Sequence, residues 1–173
     1  MKNYVILVTG LLSSFPLFSW WFKSWARKLK KRINKKYPDV EVVVVTSDGR
    51  RAVHNVWLKL RTDAENRRLG KVVICGHSNG YRDGLFLADD IYPHQVEYFG
   101  GIDLTLADND VEVPGNVKVF DNFHATLTEA PKFSKKFKGE YTKFKIDDSH
   151  IGSASNRFVQ DKMFTQIRRV FGA

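Results

Sequence analysis

The chain has 173 residues, 43% of them hydrophobic, with 28 Lys and Arg against 19 Asp and Glu for a formal charge of +9. That size and apolar content fit one folded domain over residues 1–173 and exclude a disordered polar chain. The lone Cys75 excludes a disulfide within the chain, and the positive surplus favours anionic partners.

Met1-Lys2 precedes an apolar run, but Thr9, Gly10, Ser13 and Ser14 interrupt it and no clear small-x-small cleavage site follows. The run reads instead as a first strand, Tyr4 to Thr9, with Gly10 turning the backbone at its end. No segment offers the ~20 uninterrupted apolar residues of a membrane span, so the expectation is a soluble, cytoplasmic protein. Phe18, Trp21, Phe22, Trp25, Leu29 and Ile33 then recur at three- and four-residue steps, a helical period that Pro38-Asp39 ends. Arg27, Lys28, Lys30, Lys31 and Arg32 fall on the polar side of this helix, which also carries Trp20, Trp21 and Trp25. An anionic lipid surface is one candidate partner for that pattern. A nucleic acid is the rival, although no nucleic-acid motif accompanies the charge. Val40 to Thr46 reads as a buried-type strand. Ser47 or Asp48 can start the next helix, with Val53, Val56, Trp57 and Leu60 on one face and Gly70 as its stop.

The apolar run Val72-Val73-Ile74-Cys75 follows and ends in Gly76-His77-Ser78-Asn79-Gly80. A G-x-S-x-G pentapeptide between a strand and a helix has the form of a nucleophile elbow, a tight turn that lifts the Ser78 hydroxyl out of the sheet. Gly76 and Gly80 are needed because a Cβ two residues to either side of the serine would collide with its neighbours. The helix that begins at the turn aims free N–H groups at the charge that develops on an attacked carbonyl. Cys75 reads as a small core residue of that strand.

A serine hydroxyl needs a histidine to take its proton and a carboxylate to hold that imidazole, in the chain order Ser, Asp or Glu, His. His54 precedes the elbow, His77 sits beside the serine on a sharp turn and reads as pointing elsewhere, and His94 follows Pro93 at a helix end. His124 comes soon after a strand end. His150 lies in a polar loop between a strand-like run, Tyr141 to Ile146, and a last helix after Asn156 that buries Val159, Met163, Phe164, Ile167 and Val170. That loop suits a base at the carboxyl edge of a sheet, which makes His150 the candidate. Asp103 closes the strand Val96 to Ile102 and is the preferred acid. Asp121, closing the strand Asn116 to Phe120, is the alternative, while Asp108 and Asp110 read as turn residues. The two oxyanion donors expected are the backbone N–H groups of Asn79 and Leu11. Pro131 and the lysines between Thr126 and Lys145 hide any element there.

From Val5 to Gly10, through Gly76–Gly80 and Gly101-Ile102-Asp103, to Ser149-His150, the chain resembles a compact serine hydrolase of the α/β-hydrolase superfamily, in its lipase and esterase branch. The alternation of strands and helices fits that resemblance. It implies a mostly parallel central sheet with helices on both faces. The chain is too short for the family's opening antiparallel strands and for a cap domain, so the expected form is a trimmed core with an open site. The activity implied is hydrolysis of a small-molecule or lipid ester, or of a thioester, through an acyl-enzyme on Ser78. No metal or organic cofactor is implied. Two other readings share these residues: an acyltransferase with the same triad, and a non-catalytic module that binds an anionic lipid surface or nucleic acid.

Overall fold

A computed structural model describes residues 1–10, 23–47, 50–104, 111–125 and 131–172. Its framework is a sheet of six strands: β1 (Lys2–Thr9), β2 (Val40–Thr46), β3 (Leu69–His77), β4 (Val96–Ile102), β6 (Val119–His124) and β8 (Glu140–Lys145). They stand in the order β2-β1-β3-β4-β6-β8, and every neighbouring pair is parallel. Two short strands, β5 (Glu112–Val113) and β7 (Lys132–Phe133), pair with each other apart from this sheet. The helices are α1 (Ser24–Lys36), α2 (Arg50–Glu65), α3 (Asn79–Asp90), the single turn α4 (His150–Ser153) and α5 (Arg157–Phe171).

A parallel sheet must be covered on both faces, so its inner strands are apolar on both sides rather than alternating. β1 shows this from Tyr4 to Val8, every residue of which is fully buried. Tyr4, Ile6 and Val8 face a core closed by Val53, Val56 and Leu60 of α2 and by Tyr81, Leu85 and Leu87 of α3. Val5 and Leu7 face the opposite core, closed by Trp25, Leu29 and Ile33 of α1 and by Val159, Met163 and Ile167 of α5. The first crossover, through α1, therefore covers one face and the second, through α2, covers the other. The strand order reverses at β1, and the crevice beyond the carboxyl ends of β1 and β3 lies at that switch point, where open α/β sheets bind ligands.

Several sequence boundaries shift. The first helix is described only from Ser24, and Phe18, Trp20, Trp21 and Phe22 lie outside the described residues. Trp25 belongs to the core, with 1% of its surface exposed. β2 has the predicted limits but is half-buried, because it is an edge strand with one neighbour. α2 stops at Glu65, five residues before Gly70. Gly70 lies inside β3, where a Cβ would press on the Lys2 carbonyl at 3.0 Å. The strand predicted for Asn116 to Phe120 runs instead from Val119 to His124. β7 lies in the stretch in which the sequence showed no pattern, whereas β8 matches the strand-like run Tyr141 to Ile146 to within one residue at each end.

Candidate active site

β3 runs from Leu69 through Val72-Val73-Ile74-Cys75 to His77, and α3 begins at Asn79, which leaves Ser78 alone to make the turn. Its φ is 56° and its ψ is −130°, a conformation costly for any residue but glycine. Neighbours on both sides hold it there. Its N–H donates to the Ile102 carbonyl of β4 at 2.9 Å, and its own carbonyl accepts from the Tyr81 N–H at 2.9 Å. The glycines allow close approach: a Cβ on Gly76 would lie 2.6 Å from the Tyr81 Cα, and one on Gly80 would lie 2.8 Å from the Thr9 carbonyl oxygen. Gly10 brings the end of β1 over the serine, since a Cβ there would sit 3.5 Å from the Ser78 Oγ. Asn79 opens α3 at the serine's own turn. Leu11 lies outside the described residues.

The structure brings Ser78, His150 and Asp103 into one chain of contacts. The Ser78 hydroxyl lies 3.0 Å from the His150 Nε2, and the His150 Nδ1 lies 2.6 Å from the Asp103 Oδ2. A carboxylate only accepts, so Asp103 accepts a hydrogen bond from the His150 Nδ1–H, which fixes that proton on Nδ1 and leaves Nε2 as the acceptor facing the serine. Asp103 is fully buried, with φ at 46°, in the first residue beyond β4. Its N–H donates to the Phe123 carbonyl at 2.7 Å, and its Oδ1 accepts from the Ala125 N–H at 3.0 Å. These bonds make the end of β6 the support of the carboxylate. His150 remains partly open, with 34% of its side chain exposed.

Asp121, the alternative acid, is elsewhere. It sits within β6 rather than at its end, and the Gln166 side chain of α5 donates to its Oδ2 at 3.1 Å. Burial raises its pKa. Asp108 and Asp110 lie outside the described residues. His94 is bound to the Gly70 carbonyl at the far end of the sheet, and His54 stacks on Trp57. The Cys75 thiol is fully buried, and desolvation pushes it up to about 12, which leaves it inert as a nucleophile.

The loop that carries His150 is tied at several points. Ser149 caps α4 by accepting from the Gly152 N–H at 3.0 Å, while Asp148 accepts from the Ser149 N–H at 2.7 Å and from the Asn156 side chain at 3.1 Å. Gly152 lies too close to the Asp148 carboxylate to carry a Cβ. The His150 carbonyl accepts two bonds, from the Ser153 hydroxyl at 2.8 Å and from the His77 Nε2–H at 2.9 Å. His77 is the residue whose part here sequence reasoning missed. It is 3% exposed, its ring centre is 5.2 Å from that of His150, and burial pushes its pKa down to about 4. A neutral, buried imidazole thus joins the strand that precedes Ser78 to the loop that carries His150. The position of His77 inside the pentapeptide was visible, but its partner lies 73 residues away.

A scan of protein-family models and a search of curated proteins each find no match to the chain. Solved structures do match. A candidate hydrolase of the alpha/beta superfamily from Xanthomonas campestris pv. campestris superposes with a TM-score of 0.53 at 14% identity, covering 95% of this chain and 99% of the other. A serine hydrolase without lid from Xanthomonas campestris superposes with a TM-score of 0.56 at 14% identity, covering 98% of this chain and 83% of the other. The fold is that of the α/β hydrolases.

Within an α/β-hydrolase fold of this trimmed kind, Ser78 stands at the carboxyl edge of the sheet. Cavities of about 550 and 600 Å³ lie at the opposite edge, beside Leu69, Pro93 and His94, and neither is lined by Ser78, Asp103 or His150. Among the described residues, no helix is long and apolar enough to cross a membrane.

Proposed function

We propose that the chain is a serine hydrolase that cleaves a carboxylic ester or thioester through an acyl-enzyme on Ser78. The observation that carries the reading is the chain of contacts from Ser78 through His150 to the buried Asp103, at 3.0 and 2.6 Å. The two structural neighbours, one described as a candidate hydrolase and the other as a serine hydrolase, add support.

The chemistry follows from the roles of the three groups. The Ser78 Oγ attacks the carbonyl carbon while the His150 Nε2 takes its proton, and the carbonyl π pair moves onto oxygen. Asp103 keeps the imidazole in the correct tautomer and stabilises the imidazolium that forms. The Asn79 N–H, at the start of α3, is one donor for the oxyanion; the Leu11 N–H is the second in this proposal. Each such donor is worth about 3 kcal/mol of barrier. Collapse of the tetrahedral intermediate breaks the bond to the leaving alkoxide or thiolate, which takes the Nε2 proton. Water then attacks the acyl-enzyme, giving its proton to His150, and Ser78 regains a proton as the acid departs.

The test is turnover of a panel of p-nitrophenyl esters and an acyl thioester by wild type, Ser78→Ala, Asp103→Asn and Asp121→Asn. Wild type turns over with a burst of one leaving group per site, and Ser78→Ala is inactive. Asp103→Asn loses about 10⁴-fold in kcat, because an amide can impose the wrong tautomer on His150. Asp121→Asn stays near wild type. A folded Ser78→Ala variant that still turns over would remove the assignment.

A further inference from the structure

The molecule is electrically lopsided. α1 carries seven Lys and Arg and no acid, and α5 carries four with one acid, Asp161. The two helices therefore hold a surplus of ten positive charges, against nine for the whole chain, and the remaining residues are net negative by one. They cover the same sheet face side by side: Arg32 of α1 reaches Asp161 of α5 at 2.9 Å and lies 4.3 Å from the Phe164 ring, and Tyr37 meets Phe171 at 6.0 Å between ring centres. Their inward sides are spent on the core through Trp25, Leu29, Ile33, Val159, Met163 and Ile167. The charge stands outward, with Arg27, Lys28, Lys31, Lys35 and Lys36 exposed on α1 and the cations Lys162, Arg168 and Arg169 exposed on α5. Arg157 and Arg32 both engage Asp161, the face's one acid.

We propose that this two-helix face is a docking surface for an anionic lipid bilayer. Like charge at this density repels itself, and a negative counter-surface relieves that repulsion. Three features favour a bilayer over a nucleic acid. The cations crown two adjacent helices rather than lining a groove, which suits an extended surface of negative charge. Five of the seven on α1 are lysines, point charges without the planar fork that fixes register on individual phosphates. At the end of the face stands an exposed ring, Phe158, 45% accessible in the first turn of α5, with the Lys162 ammonium 5.7 Å from its centre. An apolar ring bordered by lysine is an interfacial pairing. Phe158 follows closely on Asn156, which is bonded to the Asp148 that precedes the His150 turn, so docking would bring the catalytic edge beside the headgroups.

Binding needs no turnover, so it can be measured apart from the hydrolase assignment. Co-sedimentation with vesicles of phosphatidylcholine alone, or mixed with phosphatidylglycerol, reads it directly. Wild type and Ser78→Ala are expected to bind the mixed vesicles alike, to leave the neutral ones in solution, and to release as salt rises. The variant Lys28→Gln/Lys31→Gln/Lys35→Gln/Lys36→Gln is expected to lose roughly fivefold in affinity per cation removed, whereas Lys135→Gln/Lys138→Gln on β7 and β8's connecting turn is expected to bind as wild type. Far-ultraviolet circular dichroism of each variant keeps loss of binding distinct from loss of fold. Equal binding to both kinds of vesicle, undiminished binding by the folded α1 variant, or retention on duplex DNA with none on the mixed vesicles would each overturn the proposal.

Discussion

The His77 imidazole, which donates to the carbonyl of His150, gives the residue scale its clearest test. Replacing it with Gln keeps an N–H donor close to the Nε2 position, whereas Phe keeps the ring volume and loses the donor. His77→Phe should slow acylation about 10- to 100-fold through misplacement of the His150 ring, with His77→Gln within a few-fold of wild type. A stopped-flow burst measures both, and equal loss in the two variants would assign His77 to packing alone. The same burial makes stability depend on pH. The unfolded ring titrates near 6.5, but the folded one stays neutral down to about 4. Between those values the unfolded chain binds a proton that the folded chain refuses, so this contribution is complete above the unfolded pKa and is lost as pH falls toward 4. Its size is about 3 kcal/mol. Urea midpoints at pH 7 and 4.5 should converge in His77→Gln relative to wild type. At this scale the sequence was legible where partners follow a pattern: G-x-S-x-G and the order Ser78, Asp103, His150 name three residues that the fold gathers. The bond of His77 was not legible, because nothing local to the pentapeptide indicates which way its ring points.

At the scale of elements, the elbow is a packing problem solved by glycine. Gly80 lies against the last carbonyls of β1, and a Cβ there would come 2.7 Å from the Val8 carbonyl carbon and 2.8 Å from the Thr9 oxygen. Neither is the end of a flexible side chain, so Gly80→Ala must push α3 off the sheet. A loss of about 2 kcal/mol or more is expected, read as a lower urea midpoint together with slower acylation. An unchanged midpoint would mean the turn is looser than this packing implies. The run of elements was readable because inner parallel strands are continuous apolar stretches and the covering helices show a clear period. β6 was harder. β6 extends past Phe120 because Asp121 and Asn122 are buried within it, and polar residues in a strand look like its end. β8 was legible as the run Tyr141 to Ile146 although it is an edge strand, largely exposed and carrying Lys143 and Lys145, and lysine on an edge guards it against pairing with another chain.

For the whole molecule, the topology explains why three residues so distant in sequence meet. The serine follows β3, the acid follows β4, and the histidine follows β8, the far edge of the sheet. All the strands are parallel, so all three loops emerge at one edge, and the reach from β8 back to β3 is bridged by α4 and the His77 bond. The sheet order itself was not in the sequence, since alternating strands and helices fit several parallel orders. The charge of the chain was legible as a total and as a run on α1. That α5 lies beside α1 and extends the same face depends on tertiary packing through Arg32, Asp161 and Phe164.

The central claim is that Ser78 is an activated nucleophile held by His150 and Asp103, and intact-mass labelling with a fluorophosphonate probe tests it most directly. The account predicts one adduct per chain on wild type, none on Ser78→Ala, and strongly slowed labelling of Asp103→Asn. A folded wild-type protein that takes up no probe, or a Ser78→Ala variant that still does, would contradict it.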